Sequence, residues 1–278
     1  MKKHWLNILI AVLLILGVAL LLYPAFSNYV HSRNVARIIT DYNKVSSDTS
    51  AERKLQMIKE AEDYNGKLAK ITQNFYDPSQ VTGYKKTLDL TGTGIMGYIN
   101  IPKIDVELPI YHGTDQGVLQ IGVGHMEGSS LPVGGGSTHC VLSGHRGLPS
   151  SRLFTDLDEI EVGDSFTITV MDRLLTYQVD QIKIVLPEEI DDLYIKDGMD
   201  YCTLVTCTPY GINTHRLLVR GVRTDDGIEK PAGIAVSSEA IRIDAAVTST
   251  VIAVPAFVIV VAVTVIVERR RTRHGKQK

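Results

Sequence analysis

The chain has 278 residues, 29 Lys and Arg against 31 Asp and Glu, and a formal net charge of −2. Such a balance excludes the basic footprint of a nucleic-acid-binding protein, because the obvious cluster of cations is confined to one terminus. Hydrophobic residues make up 44% of the chain but are unevenly spread, so membrane segments must be subtracted before the soluble part is read.

Two runs, 5–30 and 245–267, carry no charged residue. Each is long enough to cross a hydrocarbon core of about 30 Å as a helix. Lys2 and Lys3 precede the first run, and Arg269, Arg270, Arg271, Arg273, Lys276 and Lys278 follow the second. The positive-inside rule then puts both termini in the cytoplasm and the middle of the chain outside. The expected order is a cytoplasmic start (1–4), a transmembrane signal anchor (5–27), an extracellular helical region (28–93) and a β-rich domain (94–223). A tether (224–244), a second membrane helix (245–267) and a basic cytoplasmic tail (268–278) facing anionic lipid complete it. A cleavable leader is the alternative for the first run, and Pro24-Ala25-Phe26-Ser27 leaves room for one; the length of the run favours a retained anchor.

After the first run, 35–43 and 51–71 read as helices. Leu55, Ile58, Ala61, Tyr64 and Leu68 recur at helical spacing, as a stripe packed on the following domain would, and Thr49-Ser-Ala-Glu52 has the form of a capping box. The segment 74–83 is rich in turn residues and reads as a helix-to-strand connection. From Gly94 onward the pattern is β. Segments 95–101, 106–111, 139–143, 166–170 and 176–185, with two strands around Cys207 and Arg216, are short apolar or alternating runs separated by Gly, Pro or Asp. Many short strands of this kind predict a closed barrel or a sandwich.

Two segments carry chemistry. In Thr203-Leu-Val-Thr-Cys207-Thr-Pro-Tyr-Gly-Ile-Asn-Thr-His215-Arg216-Leu-Leu-Val-Arg-Gly221, a β-branched run ends in a cysteine, Pro209 and Gly211 force a turn, and an apolar strand returns with an arginine at its start. In Cys140-Val-Leu-Ser-Gly144-His145-Arg146-Gly147 an apolar run ends in a histidine between glycines. A thiolate is the reactive form of cysteine and is favoured by a neighbouring cation. Imidazole can give and take protons near neutral pH, and a guanidinium suits a developing oxyanion. Cys207 is thus the candidate nucleophile, His145 the general acid and base, and Arg216 the oxyanion stabiliser.

These strings resemble the sortases, membrane-anchored transpeptidases of Gram-positive bacteria, and within them the class C, pilin-polymerising branch. Tyr111-His-Gly-Thr-Asp115, Gly124-His-Met-Glu-Gly-Ser-Ser-Leu-Pro-Val-Gly134 and Ser143-Gly-His-Arg-Gly147 match the same branch, and the resemblance runs from about Gly94 to Arg223. It implies a mainly β fold, an eight-stranded barrel with short helices and an N-terminal helical hairpin, here with a transmembrane helix at each end. It implies that Cys207 attacks the Thr-Gly bond of a Leu-Pro-X-Thr-Gly-like sorting signal and that an amine resolves the thioester. In class C that amine is a lysine of another pilin subunit. The partners implied are pilin or surface-protein substrates, an amine acceptor and membrane lipid, with no cofactor. The branch carries a lid with an Asp-Pro-aromatic motif; this chain has Asp77 and Pro78 but Ser79 in the aromatic position, leaving Tyr76 or Tyr84 to supply a ring.

The other chemistry-bearing residues have blander readings. Cys202 lies an odd number of residues from Cys207 and faces the other side of a regular strand, and a bridge between Cys140 and Cys202 would leave Cys207 as the free thiol. His112, His125, His139 and His215 read as turn or packing residues, and Arg146 and Arg220 as solvent-facing or paired. The Cys and His spacings form no zinc unit. Attachment of surface proteins to a cell-wall precursor is the alternative activity, and a non-catalytic scaffold that binds sorting signals is the alternative of another class.

Overall fold

The computed structural model describes residues 2–71, 75 and 77–224. The expected tether beyond Thr224, the second membrane helix, the basic tail and Tyr76 lie outside the described residues. The described residues divide into two units, one before residue 28 and one from residue 28 onward.

In the first 27 residues the described structure is wholly helical and belongs to α1 (Lys2–Asp48). This helix contains the one described segment long and apolar enough, by length and composition, to cross a membrane, with a mean hydropathy of 1.8. The expected separate helix at 35–43 is the last part of α1. No Gly or Pro interrupts 28–48, so a helix already nucleated propagates through it.

In the larger unit, the end of α1 and α2 (Ala51–Leu68) pack beside a β-barrel. Tyr42 docks α1: its hydroxyl donates to the Met96 carbonyl at 3.0 Å and accepts from the Met171 amide at 2.9 Å. Asn65 docks α2 by donating to the Leu131 carbonyl at 3.0 Å and accepting from the Leu131 amide at 2.7 Å. Ile58, Ala61, Tyr64 and Leu68 are buried as the helical spacing predicts, but Leu55 is 69% exposed and Met57 takes its place. At about 100° per residue, Leu55 falls on the far side of the stripe that Ala61 and Leu68 define. The cap differs by one residue as well. Ser50 is the N-cap and its hydroxyl accepts from the Arg53 amide, whereas the Thr49 hydroxyl donates back to the Val45 carbonyl.

Eight strands form the barrel: β1 (Ile95–Ile101), β2 (Val106–His112), β3 (Val123–His125), β4 (Thr138–Ser143), β5 (Ser165–Val170), β6 (Arg173–Val185), β7 (Asp200–Thr208) and β8 (His215–Arg223). Their order around the closed sheet is β1-β2-β3-β4-β7-β8-β6-β5. The β2·β3 and β4·β7 pairs are parallel, and the others are antiparallel. The sequence pattern misses only β3, a three-residue Val-Gly-His strand too short to show alternation. Inward residues of every strand build one core, among them Ile99, Ile110, Leu142, Ile168, Leu204 and Val219.

Candidate active site

The chemistry-bearing residues meet where β4, β7 and β8 run side by side. On β7 the alternation is strict. Cys202, Leu204 and Thr206 point into the barrel and are at most 2% exposed, while Val205 and Cys207 face outward. The antiparallel β7·β8 register sets Cys207 opposite Arg216 and Val205 opposite Leu218. The parallel β4·β7 register sets Ser143 opposite Val205, and the Gly144 amide still donates to the Val205 carbonyl at 3.0 Å. The Thr206 hydroxyl donates to the Gly144 carbonyl as well, so His145, just past the end of β4, lies at the same end of the sheet as Cys207 and Arg216, and all three are partly exposed.

Local sequence explains each placement. β4 ends at Ser143 because the chain must leave the sheet at Gly144, where an added Cβ would lie 2.6 Å from the Phe154 ring. Gly147 closes the corner at φ +76°, a conformation that favours glycine. His145 sits between them, and its carbonyl accepts from the Phe154 amide at 3.1 Å. Arg216 begins β8, and its Nη1 donates to the carbonyls of Asn213 and His215 at 3.2 and 3.0 Å, fixing one edge of the guanidinium on its own turn.

Outward residues Val141, Val205 and Leu218, with Leu193, form an apolar floor leading along the sheet to Cys207 and Arg216. Val185, Ile190 and Met126 pack at its margins, and so does Phe75, whose ring meets Tyr194 edge-on at 5.7 Å. Farther down the same face His139 is buried. One ring nitrogen lies 2.7 Å from the Thr203 hydroxyl and the other 3.1 Å from the Tyr194 carbonyl, and burial pulls its pKa down to about 4.

Of the three thiols, all are free, and Cys140 and Cys202 are buried opposite one another in the β4·β7 register. The two form no bridge, the lesser of the readings that their sequence leaves open. Burial holds that of Cys202 well above its ordinary range. The other histidines bind locally: His112 to the Gly94 and Thr87 carbonyls, His125 to Tyr84 and the Ser130 carbonyl, and His215 to Thr214. Arg220 pairs with Asp180 and lies over the Tyr201 ring at 4.3 Å.

The sortase domain family matches residues 99–224, the stretch that holds His145, Cys207 and Arg216. A solved structure of sortase C1 from Streptococcus agalactiae is 50% identical, with a TM-score of 0.62, over 68% of this chain and 98% of that one. The chain belongs to the sortase family. Sortase C from Streptococcus pneumoniae matches at 41% identity and a TM-score of 0.62, covering 68% of this chain and 96% of that one. Sortase D of Bacillus subtilis (strain 168) is 34% identical over 46% of this chain and 63% of its own length. The chain thus spans less than two thirds of that curated relative, and 47% of sortase A from Streptococcus agalactiae, which is 32% identical over 41% of this chain.

In this sortase the segment expected to form a lid differs from its sequence reading at two points. Tyr84 is buried, its hydroxyl 2.9 Å from His125 Nδ1 and accepting from the Gly113 amide at 2.9 Å, so it supplies no ring to the groove. Asp77 is exposed, and its carboxylate accepts from the hydroxyl of Ser79, the residue in the aromatic position, at 2.5 Å, a local bond that a serine two residues on makes readily available. Pro78 opens a 3-10 turn over Pro78–Gln80. Among the described residues of this segment, the aromatic that packs against the outer floor is Phe75, ahead of the Asp-Pro pair. Its sequence position carries no signal for this role, because the resemblance places the ring after the Asp-Pro pair and not before it.

Proposed function

We propose that this sortase is a cysteine transpeptidase, anchored to the membrane by the apolar part of α1, that joins pilin subunits through a sorting signal of the Leu-Pro-X-Thr-Gly kind. The observation that carries the reading is that Cys207 stands opposite Arg216 across the β7·β8 pair while Gly144, the neighbour of His145, is bonded to Val205 and Thr206 at the same end of β7. The Cys207 sulfur attacks the threonine carbonyl carbon, and Arg216 donates to the oxygen as it becomes anionic. The C–N bond to glycine breaks, His145 gives the leaving amine its proton, and a thioester remains on Cys207. A lysine ε-amine then attacks the thioester. It loses a proton to His145 and expels the thiolate, so an isopeptide bond replaces the C–S bond and the enzyme is restored. The apolar floor of Val141, Val205 and Leu218 supplies a surface for the apolar residues of the signal beside the nucleophile. Phe75 and the Asp77-Pro78 turn act as a lid that must leave that floor before substrate enters.

The test is to incubate the full chain in detergent with a Leu-Pro-X-Thr-Gly peptide and examine Cys207 by mass spectrometry. An acyl adduct on Cys207, released by a pilin bearing its acceptor lysine, is expected. Folded protein that forms no adduct overturns the enzymatic reading. An adduct released by a cell-wall precursor amine and not by pilin overturns the polymerising one.

A further inference from the structure

The threonines on either side of Cys207 point to the inner face of β7, away from the nucleophile, and each grips one flank of His145. Thr206, 2% exposed, donates its hydroxyl hydrogen to the Gly144 carbonyl at 2.8 Å. Thr208, 7% exposed, accepts from Arg146 Nη1 at 3.2 Å. Gly144 and Arg146 are the immediate neighbours of His145 in the chain.

Arg146 is itself held. Its Nη2 pairs with Asp158, its guanidinium lies 5.9 Å from the centre of the Tyr210 ring, and its side chain is only 9% exposed. Tyr210 in turn packs against Gly147, where an added Cβ would stand 3.0 Å from the ring. The Gly147 amide donates to the Thr155 hydroxyl at 3.1 Å. The segment between β4 and Asp158 is therefore fastened to the end of β7 on both sides of the histidine. An arginine placed next to a catalytic histidine is more often a solvent-facing charge; this one is turned inward and uses a planar, multi-donor head to join two elements.

We propose that Arg146 is a positioning residue: bridging Asp158 and Thr208, and working with the Thr206–Gly144 hydrogen bond, it sets where His145 stands relative to Cys207. Arg146 touches no substrate. Arg216 and Arg146 thus divide two tasks between two guanidinium groups, one at the reacting carbonyl and one behind the histidine. The inference rests on the reading of Cys207 and His145 as the reacting pair.

The test compares Thr208→Val, which keeps the shape but removes the acceptor, with Thr208→Ser, which restores it, in the full chain in detergent. Cys207→Ala serves as the control, and turnover of a Leu-Pro-X-Thr-Gly peptide with an amine acceptor is measured. Misplacement of a reacting group by about 1 Å can cost about 10²-fold. Thr208→Val is expected to lower kcat by about 10- to 100-fold with KM little changed, and Thr208→Ser to recover most of it. Arg146→Met is expected to lose as much as Thr208→Val, and the double variant no more than the worse single one. Unchanged kcat in Thr208→Val, a loss that Thr208→Ser does not recover, or losses that multiply in the double variant would overturn the positioning role while Cys207→Ala remains dead. Turnover by Cys207→Ala would instead overturn the functional reading and the positioning role with it.

Discussion

The two ends of the β4·β7 pair carry the same residue types in opposite circumstances. Near the start of the pair, His139 and Cys140 on β4 adjoin Cys202 on β7, all at most 3% exposed and bonded within the protein. At the other end, His145 and Cys207 are partly exposed and flanked by Arg216. Cys202 and Cys207 are five residues apart, an odd interval, so the alternation of a strand sends one inward and the other outward. The contrast shows that the exposure of a cysteine or histidine here is set by strand face and distance from the strand end. Burial penalises the charged form of the Cys202 thiol, whereas Cys207 at the strand end is partly exposed and stands opposite a cation.

Alanine substitutions would break this comparison most directly. Cys207→Ala should abolish thioester formation and transpeptidation while leaving the barrel folded. Cys140→Ala and Cys202→Ala should retain substantial activity, each losing about 1 kcal/mol of stability through imperfect packing. Parallel activity assays and thermal melts of the three variants check this; equal loss of activity in three folded proteins would erase the distinction between the ends. His145→Ala should be impaired as severely as Cys207→Ala, whereas His139→Gln should remain active.

Next in size is Arg216→Ala. Loss of one positioned oxyanion donor costs about 10²- to 10³-fold in rate. The loss should appear in kcat/KM of a purified variant whose melting temperature is unchanged, and near-normal turnover would remove Arg216 from the reacting end.

A third prediction uses pH on the buried end. The pKa of His139 is pulled down from an ordinary 6.5 to about 4 by burial, so the unfolded chain takes up a proton before the folded one does. The associated stability is fully present above pH 6.5 and is lost as pH falls toward 4. Between pH 7 and pH 5 the wild type should lose about 2 kcal/mol through this group. Denaturant unfolding at the two values should show a smaller loss in His139→Gln, and an equal loss would mean that other groups carry the acid sensitivity.

The smallest effect concerns the groove that joins the two ends. Phe75→Ala removes the ring packed beside Val141, Val205 and Leu218 and should speed alkylation of Cys207 by a small thiol reagent, by less than about tenfold, the equivalent of about 1.4 kcal/mol. Asp77→Ala should do less, because Asp77 is exposed and its carboxylate bonds to its near neighbour Ser79. If Asp77→Ala has the larger effect, the carboxylate and not the ring holds the segment in place.

The sequence alone determined the β character of the domain, because Gly, Pro and Asp turns between β-branched runs leave few other readings for 95–223. It also singled out Cys207, His145 and Arg216, since each ends or begins an apolar run beside a turn, and it separated Cys202 from Cys207 by parity alone. Helix α2 was legible through its stripe, although one apolar residue, Leu55, fell outside it because a 3.6-residue period is blurred by a single chance hydrophobe. Only the tertiary structure decided the rest. The three-residue β3 exists because β2 and β4 pair with it from both sides, not because its own residues favour a strand. The placing of His145 at the Cys207 end of the sheet depends on the parallel register between strands about 60 residues apart in the chain. The grip of Thr206 and Arg146 on the histidine segment has no local signature, because a hydroxyl and a guanidinium find their partners only after non-neighbouring strands have closed the barrel. Local pattern can name a side chain and the face of the strand it occupies, but what that side chain meets is fixed by long-range pairing.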